Sequence, residues 1–163
     1  MFKYKGTESK PKPYFEPCDK NGVPLNEKHW KDLTRKEKEL RKQEELEKFK
    51  NSDRLKENIK KAEEMRKKLD DTFHKGMWFK DQVKSGGPWD CKSGGHPEME
   101  HVGNFNYGAT GKALDFTDEL LKGLAGGYQV FNGPRDWSFW SSWGDDPIDQ
   151  FYINQGTDWY ENN

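Results

Sequence analysis

The sequence is poor in cysteine, in long apolar runs and in hydrophobic residues as a whole. Its two cysteines, Cys18 and Cys91, are too few for a disulfide framework, so we interpret both as ordinary thiols. No apolar run is long enough to span a membrane, and Met1 does not open the charged-then-apolar pattern of a secretion signal. We therefore expect no membrane insertion and folding in the cytoplasm of the producing cell. Hydrophobic residues make up 31% of 163 positions, too few for the whole chain to be compact.

Net charge is also nearly absent, but its small value hides two halves of opposite sign. Residues 1–84 carry 24 Lys and Arg against 17 Asp and Glu, whereas residues 85–163 carry 4 against 12. The second half therefore has few cations with which to neutralise phosphates, which disfavours a polyanion-binding site there. In the first half Glu alternates with Lys, so the local field cancels and a nucleic-acid patch is disfavoured as well.

The first half divides into two segments of different composition. Residues 1–26 contain four prolines and are expected to be extended or loosely ordered. Residues 27–72 are dominated by Lys, Glu, Arg and Leu, which favour helix, and predict a charged helical arm. An apolar stripe recurs at helical spacing along it: Leu55, Ile59, Ala62, Met65, Leu69 and Phe73. The arm is either a solvated helix with one face packed on something, or a docking arm or linker from a larger carrier.

Two local patterns predict where the helices of the arm begin and end. Thr34 followed by Glu37 is a capping-box pattern, which predicts a helix start. Asn51 and Ser52 interrupt the run of helix formers and predict a break.

Residues 73–163 hold 17 Phe, Trp and Tyr in 91 positions, which predicts a small domain with an aromatic core. Helices are predicted at about 117–126, where leucines recur at helical spacing, and from Pro147 to about Tyr160. Short strands are the expectation around 103–108 and 128–131. The predicted fold class is therefore mainly α, with a small β element, a long N-terminal helical arm and a small aromatic-rich globular domain.

Three glycine-punctuated, aromatic-rich patches occupy this second half. They are GGPWDCK (86–92), GNFNYGATG (103–111) and GDDPIDQFYINQGTDWY (144–160). Each couples a carboxylate or an amide to an aromatic ring and to glycines. That combination is typical of a binding cleft, because rings supply contact area and polar groups supply orientation.

The order of the patches resembles the polymorphic toxin type 44 family. The resemblance covers about residues 77–160 and rests on W-F-x-x-x-V-x-x-G-G-P-W-D-x-K, then G-N-F-N-Y-G-A-T-G, then G-D-D-P-x-D-Q. It implies a toxin module carried at the C-terminal end of a large secreted protein, such as an Rhs-type carrier, and used in competition between bacteria. It also implies a cognate immunity protein as partner and delivery into a target bacterium.

Carboxylates in or beside the patches are the candidate catalytic groups. Asp90 follows Trp89 in the first patch, Glu100 precedes the second, and Asp145 and Asp149 lie at the start of the last helix. A carboxyl group beside an apolar ring can act as a general acid near neutral pH. A second carboxylate can act as base or nucleophile, as in glycoside hydrolysis.

Other side chains of the patches are candidate substrate contacts. They are Trp89, Lys92, Asn104, Asn106, Tyr107, Thr110 and Asp146. Structural roles are the alternative for several of them. Asp146 and Asp149 fit a helix N-terminus, and Asp90 fits an Asx-turn. The amides and hydroxyls of the second patch also fit a hydrogen-bonded loop that seals the core.

The histidines suggest a different chemistry. His101, beside the second patch, is a candidate for acid–base catalysis. His96 and His101 with Glu98 and Glu100 have the residue types of a metal site, but Pro97 and the spacing do not match a helical ligand face. We therefore predict neither a metal nor another cofactor.

Three functions remain open from the sequence. The first is a hydrolase of bacterial wall glycan, peptidoglycan, favoured by the acidic, tryptophan-rich second half. The second is a metal-independent ribonuclease using His101 or His96 with Lys92 and an acid. The third is a binding module that recognises a sugar or a protein and catalyses no reaction.

Overall fold

The fold is mainly helical. The computed structural model describes residues 16–91, 95–125 and 147–163. Six α-helices lie in these ranges: α1 (Arg35–Lys50), α2 (Asp53–Lys68), α3 (Thr72–Val83), α4 (Glu100–Ala113), α5 (Asp118–Ala125) and α6 (Pro147–Asn162). Short 3₁₀ turns precede α1 and α4. Within the same ranges the β structure is one isolated bridge, between Cys18 and Pro24. The prediction of a mainly α fold is confirmed.

The predicted helix boundaries of the arm are confirmed. The Thr34 hydroxyl accepts from the Glu37 amide at 3.1 Å, and the Glu37 carboxylate accepts from the Thr34 amide at 3.0 Å. These reciprocal bonds begin α1 because they satisfy two donors that a helix start leaves unpaired. Asn51 ends α1, and the Ser52 hydroxyl begins α2 by accepting from the Leu55 amide at 3.2 Å.

The second patch was predicted wrongly as strand and loop. Residues 100–113 form α4, and almost every residue of this helix is buried. Because α1, α2 and α6 pack around it, its peptide groups have no access to water and are paired within the helix itself. The other predicted strand, 128–131, lies outside the described residues. The predicted helices at 117–126 and from Pro147 are confirmed as α5 and α6.

Helices α4 and α6 approach each other closely at two glycines. A Cβ placed on Gly108 would overlap the carbonyl oxygen of Ile153, and one on Gly156 would overlap that of Phe105. Backbone therefore packs on backbone at both points, which a side chain would prevent. Gly108 of the second patch and Gly156 of the third therefore allow these two helices to pack closely.

The core consists of two apolar clusters on either side of α4. The first contains Trp89, Phe79, Tyr107 and Ile153, and the second contains Leu46, Phe49, Leu55, Val102, Phe105 and Tyr152. Helices α1 and α2, which form the predicted arm, therefore contribute buried side chains to the same core as α4. That residues 73–163 fold as a separate domain stays a prediction. Across the residues described, no helix is both long and apolar enough to cross a membrane.

Candidate functional site

Four predicted site residues come together where α1, α4 and α6 meet: Glu100, His101, Asn104 and Asp149. Of these, His101 is 1% exposed, and its Nε2 lies 3.0 Å from Oε2 of Glu39 on α1. Its ring stacks on Tyr152 of α6, with ring centroids 3.8 Å apart and planes 17° from parallel. A histidine held by a carboxylate on one side and a ring on the other has a fixed orientation.

A second contact between α4 and α6 lies one helical turn from the stack of His101 on Tyr152. The Nδ2 of Asn104 donates to Oδ1 of Asp149 at 2.7 Å, and Asn104 is fully buried. Because residues three apart lie on one face of a helix, this pair and the His101–Tyr152 pair are neighbouring steps between α4 and α6. Asp149 is the third residue of α6, as predicted.

Lys42 of α1 joins the site to Glu100. Its Nζ lies 2.6 Å from Oε1 of Glu100 and 3.4 Å from Oε1 of Glu39. Burial alone would lower the pKa of Lys42, but the hydrogen bond and charge of Glu100, with those of Glu39, raise it above its ordinary value. Burial would raise the pKa of Glu39, but the hydrogen bond from His101 and the charge of Lys42 outweigh it, and that pKa is lowered.

The residues joined by these contacts between α1, α4 and α6 are named the polar cluster. They are Glu39, Lys42, Glu100, His101, Asn104, Asp149 and Tyr152.

A groove of about 470 Å³ between α1 and α6 adjoins the polar cluster. Its lining is Gln43, Leu46, Glu47, Lys50, Phe151, Tyr152 and Gln155. Tyr152 belongs to both features, since its ring stacks on His101 and the residue also lines the groove. Burial, together with the negative charge of Glu39, raises the pKa of Tyr152. Phe151 is 55% exposed, so the groove presents an aromatic residue to solvent.

Two predicted substrate contacts lie in the apolar core instead. Trp89 is 5% exposed and meets Trp78 edge to face, with centroids 5.4 Å apart. Tyr107 is fully buried, and its hydroxyl donates to the carbonyl of Leu121 at 3.0 Å. Burial raises the pKa of Tyr107 well above its ordinary value. Both side chains belong to the first apolar cluster, away from the groove.

Three other predicted residues make structural hydrogen bonds. The Asn106 Oδ1 accepts from Nδ2 of Asn58 on α2 at 3.1 Å, inside the core. The Thr110 hydroxyl donates to the carbonyl of Asn106 at 2.6 Å. Asp90 accepts from the amide of Gly86 at 2.8 Å, a contact that orders the loop of the first patch.

The remaining predicted residues, Lys92, Asp145 and Asp146, lie outside the described residues. His96 is near Glu98, with Nδ1 and Oε1 3.3 Å apart, but both belong to the turn before α4. In the ranges that the structure describes, no three His, Cys, Asp or Glu side chains form a group that could hold a metal ion.

Sequence reasoning missed the contribution of α1 and of the groove. Glu39, Lys42, Gln43, Leu46 and Lys50 recur at three- and four-residue steps along one face of the helix. That spacing places them on one side of α1, but the rest of the helix is also rich in Lys and Glu, so nothing in the sequence marks these residues as different.

A family comparison now decides the class of the molecule. The model of the family described as bacterial toxin 44 matches residues 56–162. The chain belongs to the bacterial toxin 44 family. It is thus a bacterial toxin domain, and membership implies delivery to target cells and an immunity protein as partner. The match begins inside α2, so α1 and its polar-cluster residues precede it. No curated protein and no solved structure shows significant similarity to the chain.

Proposed function

We propose that this toxin is a hydrolase of bacterial wall glycan. The observation that carries the proposal is the chemistry of the groove between α1 and α6. An exposed aromatic face and two amide side chains line it, Phe151 with Gln43 and Gln155. Aromatic rings pack against the apolar faces of sugars. Amides can both donate to and accept from hydroxyl and N-acetyl groups.

The charges of the groove favour an uncharged polymer over a polyanion. Among the described residues that line it, one carboxylate and one ammonium group, Glu47 and Lys50, lie 3.2 Å apart and compensate each other. Lys42, in the adjoining polar cluster, lies between two carboxylates. A groove for RNA needs cations that are not already neutralised by the protein, because phosphate binding dominates nucleic-acid affinity.

Glu100 and Asp149 are the carboxylates to which we assign proton transfer. Glycoside hydrolysis needs one carboxyl group that protonates the leaving oxygen and a second that activates water or attacks the sugar. Both residues belong to the polar cluster next to the groove, and each is oriented by a partner, Lys42 and Asn104 respectively. Asp90 and Asp145 remain the further acids that the sequence proposes.

A metal-independent ribonuclease is the second candidate, and one contact favours it. The His101–Glu39 pair has the arrangement of a general base oriented by a carboxylate. A module that only binds a sugar or a protein is the third candidate, because the groove by itself does not require a reaction.

We also propose a delivery route for the toxin. An Rhs-type or similar secreted protein would carry the chain out of the producing cell and into a target bacterium. A cognate immunity protein would protect the producer.

Targeted expression separates the three candidates. The full chain is produced in a bacterium with and without an export signal, alongside Glu100→Gln, Asp149→Asn and a control, Glu119→Gln, on the exposed surface of α5. We expect lysis from the periplasm only, sugar fragments released from purified sacculi, and loss of both effects in the first two variants. Cytoplasmic arrest with degraded RNA, abolished by His101→Ala, would establish the ribonuclease instead. Toxicity that releases no sugar and degrades no RNA, and that survives all three substitutions, would favour a binding module.

A further inference from the structure

We propose that Glu39 is a positioning residue of the toxin site, acting on the groove through His101 and Tyr152. The inference rests on the proposed function for the identity of the ligand, but the contacts that carry it do not. On this proposal α1 contributes to the function of the toxin, although that helix precedes the residues that match the family.

The first step is the fixed orientation of His101. Its Nε2 faces the Glu39 carboxylate at 3.0 Å, which assigns the proton to Nε2, because a carboxylate accepts hydrogen bonds. The other ring nitrogen, Nδ1, is buried and has no hydrogen-bond partner among the residues that the structure describes. An unpaired lone pair at Nδ1 is tolerated better than an unpaired N–H, so Glu39 selects the tautomer that this buried site accepts.

The second step leads from His101 to the groove wall. The imidazole of His101 stacks on the ring of Tyr152, and Tyr152 lines the groove. Gln43, which also lines the groove, is among the groups that act on the pKa of Tyr152. If the imidazole rotates or changes tautomer, the surface on which Tyr152 rests changes with it.

The third step is electrostatic and supplies an independent measurement. The negative charge of Glu39 is one cause of the raised pKa of Tyr152, after burial, whereas Lys42 and the Gln43 hydrogen bond act in the opposite direction. Removing that charge stabilises the phenolate, so the titration of Tyr152 moves to lower pH. A residue that only filled space would not produce this change.

The test uses the full chain as wild type, Glu39→Gln and Glu39→Ala, with Glu57→Gln as a matched control on the exposed face of α2. Isotope-labelled tyrosine, assigned with Tyr152→Phe, reports the Tyr152 environment and its titration by NMR. A soluble N-acetylglucosamine oligosaccharide is the binding probe, and purified sacculi are the substrate for KM and kcat.

We expect Tyr152 to titrate at lower pH in Glu39→Gln than in the wild type, and its resonance to move in both Glu39 variants. We expect Glu39→Ala to weaken oligosaccharide binding and raise KM by about tenfold, the effect of one lost hydrogen bond to a charged group, with a smaller change in kcat. Glu57→Gln should behave as the wild type. If Glu39→Ala does not fold, Glu39→Gln alone decides the question, because it keeps the shape of the side chain.

A Tyr152 resonance and titration unchanged in Glu39→Gln would overturn the positioning role. If instead the wild type neither binds the oligosaccharide nor attacks sacculi, the glycan hydrolase proposal fails. The NMR measurement then still decides whether Glu39 positions the groove wall. The two failures are thus distinguishable.

Discussion

Replacing Gly108 by alanine tests the packing on which the whole site depends. In a solvent-exposed helix interior the change stabilises, by about 1 kcal/mol, because alanine has the higher helix propensity. Here the new Cβ would overlap the carbonyl oxygen of Ile153 and lie 2.9 Å from its carbonyl carbon. The obstacle is backbone of α6, which cannot rotate away, so α4 and α6 must separate.

The expected loss of stability in Gly108→Ala is the cost of overpacking less the gain in helix propensity. Overpacking of a well-packed core costs about 1–3 kcal/mol and occasionally more. A backbone obstacle belongs at the upper end of that range, so we expect Gly108→Ala to lose about 2 kcal/mol net of the propensity gain. For a chain of this size that is a fall in Tm of about 4–8 °C. Denaturant unfolding followed by circular dichroism measures the loss in the free energy of unfolding, and thermal unfolding measures the fall in Tm.

Gly111→Ala is the matched control on the same helix. Its Cβ would meet the Cδ2 atom of Leu121, the end of a flexible side chain that can move aside. The cost of the overlap and the gain of about 1 kcal/mol in helix propensity should therefore nearly cancel, and the free energy of unfolding should change by less than about 1 kcal/mol. The double variant Gly108→Ala/Gly156→Ala should lose less than the sum of its single variants, because both force apart the same pair of helices. Our account of the packing is wrong if Gly108→Ala is as stable as the wild type. It is equally wrong if Gly111→Ala is as damaging as Gly108→Ala.

Two further outcomes follow from the buried polar contacts. Asn58→Ala leaves the amide oxygen of Asn106 without its donor, so we expect a loss of about 1–3 kcal/mol in urea unfolding, which a loss below about 0.5 kcal/mol would contradict. The pKa of Glu39 is lowered in the folded chain, so its ionised form contributes stability above the ordinary glutamate pKa, and that stability disappears as pH falls through the lowered value. Glu39→Gln should therefore cost about 0.5–1 kcal/mol near neutral pH, a figure discounted because the side chain is 45% exposed, and the difference from wild type should shrink in acid. A difference that grew as the pH fell would contradict this sign.

Local signals were sufficient for the helices whose ends carry their own hydrogen bonds. The Thr34–Glu37 box and the break at Ser52 are interactions between near neighbours, so the sequence contains both partners. The leucine spacing of α5 and the proline start of α6 are equally local. The same locality explains the error at α4. Glycine, asparagine and aromatic residues disfavour helix by local propensity, and only the surrounding helices reverse that preference.

The sequence by itself determined the helical class, the helix starts at Thr34 and Ser52 and the resemblance to the bacterial toxin 44 family, because each depends on residue type and short spacing. It also contained His101, Asn104, Glu100 and Asp149 as candidate site residues. Only the tertiary structure decided that these four meet, and that Trp89 and Tyr107 lie in the core instead. It alone brought Glu39 against His101, because a contact across 62 residues depends on how α1 packs on α4. Nothing in the sequence near either residue records that packing.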